Sequence, residues 1–180
     1  SSLALAEQAF ARCMDAGWLV DGVISQSEAQ AKSLWQLREG ISESLASHTP
    51  YKNDLSVRIS EVPEFLADVD SYVSESYPEF EVCWYGHIGD GNLHLNILRP
   101  QDMPVEEFFS HGHSMSPKIF EIVAARRGSI SAEHGVGLLK RDFLGYTRSE
   151  DEIKLMQGLK ALFDPHQILN PNKLLTTNAN

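Results

Sequence analysis

Two histidines, His87 and His94, flank a short segment that contains glycines at positions 89 and 91. Glycine tolerates positive φ angles and close approach of other chain atoms, so the chain can turn sharply between the two histidines and bring both rings to one small volume. Imidazole is the commonest side-chain ligand for transition metals in proteins. The segment therefore predicts part of a metal site.

A second polar pair, Glu133 and His134, lies in a loop of small residues at 129–137. Two imidazoles and one carboxylate, with coordination positions left over, are typical of a catalytic zinc site or a site for another divalent metal. We therefore expect His87, His94 and Glu133 to be the metal ligands. His134 is then a candidate general base, because imidazole titrates closest to neutral pH. The alternative is that these are ordinary polar residues of a loop and a surface.

Two cations could hold an anionic substrate. Arg38 can bind a carboxylate through its planar guanidinium, and Lys52 can do so as a point charge. Ser42 lies one helical turn after Arg38, so the two side chains could face a cleft together. The competing interpretation is that each cation is a solvated surface charge.

The elements that must position these residues can be read from hydrophobic periodicity. After the glycine loop, Leu93, Leu95 and Ile97 alternate with polar residues, which predicts a strand with one core face and one polar face. His94 and Asn96 share the polar face. The remaining predictions are strands over 20–25, 55–59 and 80–85, and helices over 3–16, 27–46, 60–77, 104–109, 116–126 and 149–163. Antiparallel strands with helices on one face predict an α+β fold of ferredoxin-like type, followed by a C-terminal helical segment.

Two of the predicted helices have recognisable start signals. Ser27 and Ser149 are each followed three residues later by glutamine or glutamate, which is the spacing of a capping box. In the helix that begins after Ser27, Leu34 and Leu37 lie on the stripe that we expect to be buried.

The bulk composition limits the class of protein. At 180 residues and 42% hydrophobic composition, the chain can bury the core of one domain. A net charge of −10 argues against nucleic-acid binding and against anionic membrane surfaces. The sequence has no apolar run long enough to cross a bilayer, and we expect a cytoplasmic protein. Cys13 and Cys83 lie in apolar surroundings and are predicted to be small core residues without a disulfide.

Three motifs, taken in order, resemble one family. They are the stretch from Gly86 to His94, the loop 129–137, and the tail from Asp164 to Lys173. Together with the segment 35–39, they resemble the C-terminal substrate domain of FAD-linked D-2-hydroxyacid dehydrogenases. That group includes D-lactate, glycolate and D-2-hydroxyglutarate dehydrogenases of the vanillyl-alcohol oxidase superfamily. The resemblance covers nearly the whole of residues 1–180.

The resemblance implies roles for individual residues. His87, His94 and Glu133 would bind a divalent metal, with zinc as the expected ion, while Asn96 and His134 would contact the region of the substrate hydroxyl. The substrate carboxylate would be held by Arg38, Ser42 and Lys52. Asn170, in the tail motif, resembles a residue placed near the flavin.

The resemblance also implies partners. FAD would be bound mainly by an N-terminal domain, which this sequence does not contain, so we expect residues 1–180 to be part of a longer enzyme and inactive alone. The substrate would be a small 2-hydroxyacid. Which acid it is, the electron acceptor and the oligomeric state, a homodimer included, stay open. Two other functions stay open as well: a stand-alone metal-binding or interaction module, and a metal-free flavoprotein oxidase, which the paired histidines disfavour.

Overall fold

The computed structural model describes residues 2–175, and these form two compact units. The first extends to Leu45 and the second begins at Ala46. All three sequence motifs lie in the second unit.

Helices dominate the first unit. They are α1 (Ser2–Asp15), α2 (Glu28–Glu39) and α3 (Ile41–Ala46), the last of which ends at the boundary. Ser27 caps α2 by accepting the backbone N–H of Gln30, as the sequence predicted. The sequence predicted a single helix over 27–46, but the helix is interrupted at Gly40. The prediction of a strand over 20–25 is wrong, because those residues have no strand pairing. Leu34 and Leu37, expected to be buried, are 39% and 75% exposed.

A three-stranded antiparallel sheet forms the centre of the second unit. Its strands are β1 (Tyr51–Ser56), β2 (Glu81–His87) and β3 (Asn92–Leu98), in the spatial order β1-β3-β2. Ser56 also makes an isolated antiparallel bridge to Ser129, at the edge of β1 that β3 leaves open. The order of strands and helices is that of a ferredoxin-like domain whose fourth strand is reduced to one bridge, which confirms the α+β prediction.

Two helices cover one face of the sheet. They are α4 (Val62–Ser76) and α5 (Val105–Ala125), and both contribute to a core that includes the fully buried Leu55, Leu95 and Ile97 of the strands. These three positions alternate with polar ones, as period-2 patterning requires. The opposite face of the sheet is therefore left for polar side chains.

The sequence predicted two separate helices where α5 is continuous. Pro117 lies inside α5, where it lacks the N–H that would bond the carbonyl four residues earlier. Ser116 lies next to it, is buried, and donates its hydroxyl to the carbonyl of Gly112. The buried apolar side chains of α5, which include Phe108, lie on both sides of the proline and stabilise the helix through it. Tertiary packing thus overrides the local helix-breaking signal.

The rest of the second unit is helical or irregular. Short 3₁₀ segments lie at Ile59–Glu61 and Arg141–Tyr146, and α6 spans Glu150–Phe163. The predicted capping box of α6 is present, with Ser149 and Glu152 bonding each other's backbone N–H groups. Leu159 and Phe163, two of the apolar residues whose spacing indicated this helix, are 56% and 76% exposed. Within residues 2–175, none of the helices is long and apolar enough to span a membrane.

Candidate metal and substrate site

The sheet face opposite α4 and α5 carries the polar residues. Strand pairing places His94 of β3 between Asp54 of β1 and Tyr85 of β2. Two residues further along β3, Asn96 lies between Lys52 of β1 and Cys83 of β2. At the other end, Asn92 pairs with His87. Because cross-strand partners share a face, these side chains line one surface.

The loop that follows α5 brings Glu133 and His134 to this surface. The backbone N–H groups of both residues donate to Oδ2 of Asp54, with N–O distances of 2.8 and 3.1 Å. Lys140 stabilises the same region, because its ammonium donates hydrogen bonds to the backbone carbonyls of Asp54 and Ile130. Burial lowers the pKa of the Lys140 ammonium to about 8. These hydrogen bonds hold the loop against β1. They fix the backbone positions from which the side chains of Glu133 and His134 extend.

Four side chains form a cluster suited to a metal ion. Asp54, His94, Glu133 and His134 each offer a ligand atom, and these atoms all lie within 4.8 Å of one another. Nε2 of His94 is 3.3 Å from Oε1 of Glu133. Two atoms bound to one zinc ion at 2.0–2.1 Å and the tetrahedral angle would lie about 3.3–3.4 Å apart. The observed separation therefore fits two adjacent zinc ligands.

The protonation state of His94 suits a metal ligand. Its side chain is 15% exposed, and burial is the main cause that lowers its pKa below 6.5, outweighing the carboxylates of Asp54 and Glu133. The imidazole is therefore neutral at neutral pH, as metal binding requires.

His87 stands beside this cluster. The centre of its ring lies 5.5 Å from that of His94, and its side chain is exposed at the end of β2. The sequence placed His87 at the start of the loop, whereas β2 extends through it. Two of the predicted ligands, His94 and Glu133, belong to the four-residue cluster. The third predicted ligand, His87, does not belong to it, and the cluster contains Asp54 and His134 instead.

Asn92 positions the carboxylate of Glu133. It is 5% exposed and donates its side-chain N–H to Oε1 of Glu133 at 2.9 Å. Asp90 in turn accepts the backbone N–H of Asn92, which shapes the turn before β3. The amide oxygen of Asn92 is buried without a hydrogen-bond donor among the described residues.

Asn96 and Lys52 occupy the neighbouring position on the same face. Asn96 is almost fully buried; its amide N–H groups donate to backbone carbonyls of the sheet, and its amide oxygen has no hydrogen-bond donor within residues 2–175. Lys52 lies inside β1 and is exposed, whereas the sequence placed it before the strand. An amide can bind a hydroxyl through a hydrogen bond, and an ammonium can bind a carboxylate through its charge.

Arg38 and Ser42 belong to the first unit, on α2 and α3 respectively. Arg38 is half-buried and Ser42 is exposed. Their role at the carboxylate stays a prediction.

The chain is similar in sequence to a known family of proteins. The family model described as FAD linked oxidases, C-terminal domain, matches residues 2–174. The chain belongs to this family. Among its relatives, the D-2-hydroxyglutarate dehydrogenase of Stutzerimonas stutzeri is 55% identical over 94% of the chain, and the mitochondrial D-2-hydroxyglutarate dehydrogenase of Bos taurus is 41% identical over 92%. A putative mitochondrial D-lactate dehydrogenase of Schizosaccharomyces pombe is 42% identical over 85%. The chain spans 37%, 29% and 30% of these relatives' lengths.

The tail of this FAD-linked oxidase domain is folded back by Asp164. This buried carboxylate accepts the backbone N–H groups of Ile168 and Leu169 and the ammonium of Lys160, which holds the pKa of Asp164 below its ordinary value. Asn170 follows with a positive φ of 45°. Its placement near a flavin stays a prediction.

The sequence reasoning overlooked Asp54 and Asn92. Both are buried polar residues on the site face, and each contacts a predicted functional residue directly. A signal was present, since the alternation of apolar and polar residues over the predicted strand 55–59 continues back to Asp54. The predicted strand began at Leu55, whereas β1 begins at Tyr51, and so Asp54 was excluded.

Proposed function

We propose that this domain forms the substrate side of an FAD-linked dehydrogenase that oxidises a D-2-hydroxyacid to the 2-oxoacid. The observation that carries the proposal is the convergence of His94, Glu133 and His134 on the polar face of the sheet. The names of the relatives favour D-2-hydroxyglutarate as the substrate, with D-lactate as the next acid to test. Glycolate is the third.

A divalent metal, zinc in the first instance, would be held by His87, His94 and Glu133. The fit rests on the neutral, mostly buried imidazole of His94 and on its 3.3 Å separation from the Glu133 carboxylate. When bound, the metal would polarise the substrate hydroxyl as a Lewis acid, and FAD would accept the hydride.

The residues of this chain would perform the remaining work. An unprotonated ring nitrogen of His134 takes the proton of the substrate hydroxyl. Asn96, on the same face of the sheet, contacts the substrate next to this hydroxyl and keeps the hydroxyl close to that nitrogen. Lys52 and Arg38 neutralise the substrate carboxylate, and Ser42 donates a hydroxyl hydrogen bond to it.

The flavin would be bound mainly outside this chain, with Asn170 contributing from the tail. The relatives named above are roughly three times as long as this chain, which leaves room in them for a flavin-binding region. The cytoplasm is our proposed location; some relatives carry "mitochondrial" in their names. The electron acceptor and a homodimer remain to be tested on the longer protein.

The test is a panel of D-2-hydroxyacids with an artificial dye acceptor, run on native-length protein. We expect turnover of D-2-hydroxyglutarate and a loss of 10²–10⁴-fold in kcat for His134→Asn, with metal content unchanged. His113→Asn on α5, outside the site, is the matched control. Metal binding without turnover of any acid would favour a stand-alone metal-binding or interaction module. Turnover that persists in metal-free protein would favour a metal-free oxidase.

A further inference from the structure

Asp54 is a buried carboxylate at the centre of the site, and the proposed reaction gives it no role. It is 8% exposed and lies on β1, directly opposite His94 of the central strand β3. Each of its two oxygens faces a different part of the site. Burying an ionised carboxylate is costly unless hydrogen bonds or cations compensate it, so these contacts require an explanation.

Oδ2 holds the backbone of the loop. It accepts the N–H groups of two successive residues, Glu133 and His134, at 2.8 and 3.1 Å. Hydrogen bonds to an ionised acceptor are shorter and stronger than those between neutral groups. Oδ2 of Asp54 therefore fixes the backbone from which two side chains extend, the proposed ligand Glu133 and the proposed base His134.

Oδ1 faces the histidine. It lies 3.5 Å from Nδ1 of His94, while Nε2 on the other side of the same ring faces Glu133. This oxygen is buried and has no hydrogen-bond donor within the described range 2–175. An N–H at Nδ1 is the donor that would satisfy it, after a small rotation of the ring. Metal-bound histidines usually donate their second ring N–H in this way, and the carboxylate fixes the tautomer.

We infer that Asp54 is a positioning residue that acts through His94 and the 133–134 backbone. It holds the proton of His94 on Nδ1, which leaves the lone pair of Nε2 directed at the metal, and it fastens the loop that carries Glu133 and His134. The inference rests on the proposed function, because it presumes a metal at Nε2. Asp54 is not itself a ligand in this account, since Oδ2 is committed to two amides and Oδ1 faces the ring nitrogen remote from Glu133.

The first test measures zinc affinity by competition with a chromophoric chelator, in native-length protein. Asp54→Asn is expected to weaken zinc binding by about 10–100-fold, the usual effect of losing such a partner. Asp68→Asn, which removes a carboxylate from the ion pair with Arg126 on the other side of the sheet, is the matched control and should bind as the parent does. In the metal-free variant, hydrogen exchange at the amides of Glu133 and His134 should accelerate, while exchange in β3 is unchanged.

Each result decides between separate claims. If the parent protein binds no zinc, the metal in the proposed function is refuted. If the parent binds zinc and Asp54→Asn binds it equally well, the positioning role is refuted. If the cobalt(II)-substituted variant shows a spectrum of changed coordination number, Asp54 is a ligand, and the inference is again overturned.

A measurement on unaltered protein covers the case in which Asp54→Asn does not fold. The ¹⁵N chemical shifts of the histidine rings in zinc-loaded protein identify which nitrogen carries the metal. We expect His94 to be bound through Nε2 with its proton on Nδ1. Binding through Nδ1 would overturn the inference.

Discussion

Gly91 controls the turn that leads into β3, and its replacement by alanine should destabilise the second unit. Its φ is +72°, in the left-handed region, and an added Cβ would lie 1.9 Å from the carbonyl oxygen of Val57. That oxygen belongs to the backbone that follows β1, so no side-chain rotation can relieve the clash. The backbone N–H of Val57 also donates to the carbonyl of Gly91, at 3.2 Å.

The cost can be estimated from three parts. The left-handed conformation of a residue with a Cβ costs about 1 kcal/mol, a weakened hydrogen bond about 1 kcal/mol, and the forced shift of packed backbone about 1–3 kcal/mol. Gly91→Ala should therefore lose about 3–5 kcal/mol of the free energy of unfolding. At about 2–4 °C per kcal/mol for a chain of this size, Tm falls by about 6–20 °C.

Gly89→Ala is the matched control in the same turn. An added Cβ at Gly89 meets nothing within 4 Å, and its φ lies outside the left-handed region. The free energy of unfolding of the Gly89→Ala variant should differ from that of the parent by no more than about 0.5 kcal/mol. Thermal and urea unfolding of metal-free protein measures both variants. Equal melting temperatures for the two would refute the reasoning that the backbone of Val57 enforces glycine at position 91.

Three further predictions concern stability. Ser149→Ala removes the cap of α6 and should cost about 1 kcal/mol in thermal unfolding; an unchanged Tm would contradict this, and Ser74→Ala is the control. The Lys160 ammonium holds the pKa of Asp164 below its ordinary value. Ionised Asp164 therefore stabilises the fold above about pH 3.9, and this stabilisation is lost as the pH falls through the lower pKa of the folded state. Asp164→Asn should remove this acid dependence from a pH series of urea midpoints, and an unaltered profile would contradict it. The pKa of Lys140 is lowered to about 8, so the unfolded chain binds more protons between about pH 8 and 10.4, and stability should rise across that interval. Lys140→Met should abolish the rise.

Local sequence signals predicted those features that depend on neighbouring residues. The alternation of Leu93, Leu95 and Ile97 gave the correct face for His94, because a strand with one buried face has only one acceptable register. The capping box at Ser149 was likewise recognisable, since both partners lie within one helical turn.

Features that depend on distant residues were missed. The sequence could not show that α5 continues through Pro117, because the apolar contacts that stabilise the helix there come from other elements. Nor could it show that a carboxylate in β1 accepts amide hydrogens from a loop about eighty positions later, which makes Asp54 part of the site.

Two of the apolar residues that indicated α6 are exposed in the structure. Leu159 and Phe163 follow a helical period that normally marks a buried face, yet both are exposed. The period thus predicted the helix itself but does not establish that its apolar residues are buried.

The central claim is that His94 and Glu133 hold a divalent metal on the polar face of the sheet. Its most direct test is the metal content of purified native-length protein, measured by elemental analysis beside His94→Ala and a control, His111→Ala. His111 lies on α5, on the other side of the sheet, packed against the rings of Tyr77 and Phe80. We predict about one divalent metal ion per chain in the parent and the control, and a loss of most of it in His94→Ala. Equal metal content in all three proteins, or none in the parent, would contradict the claim.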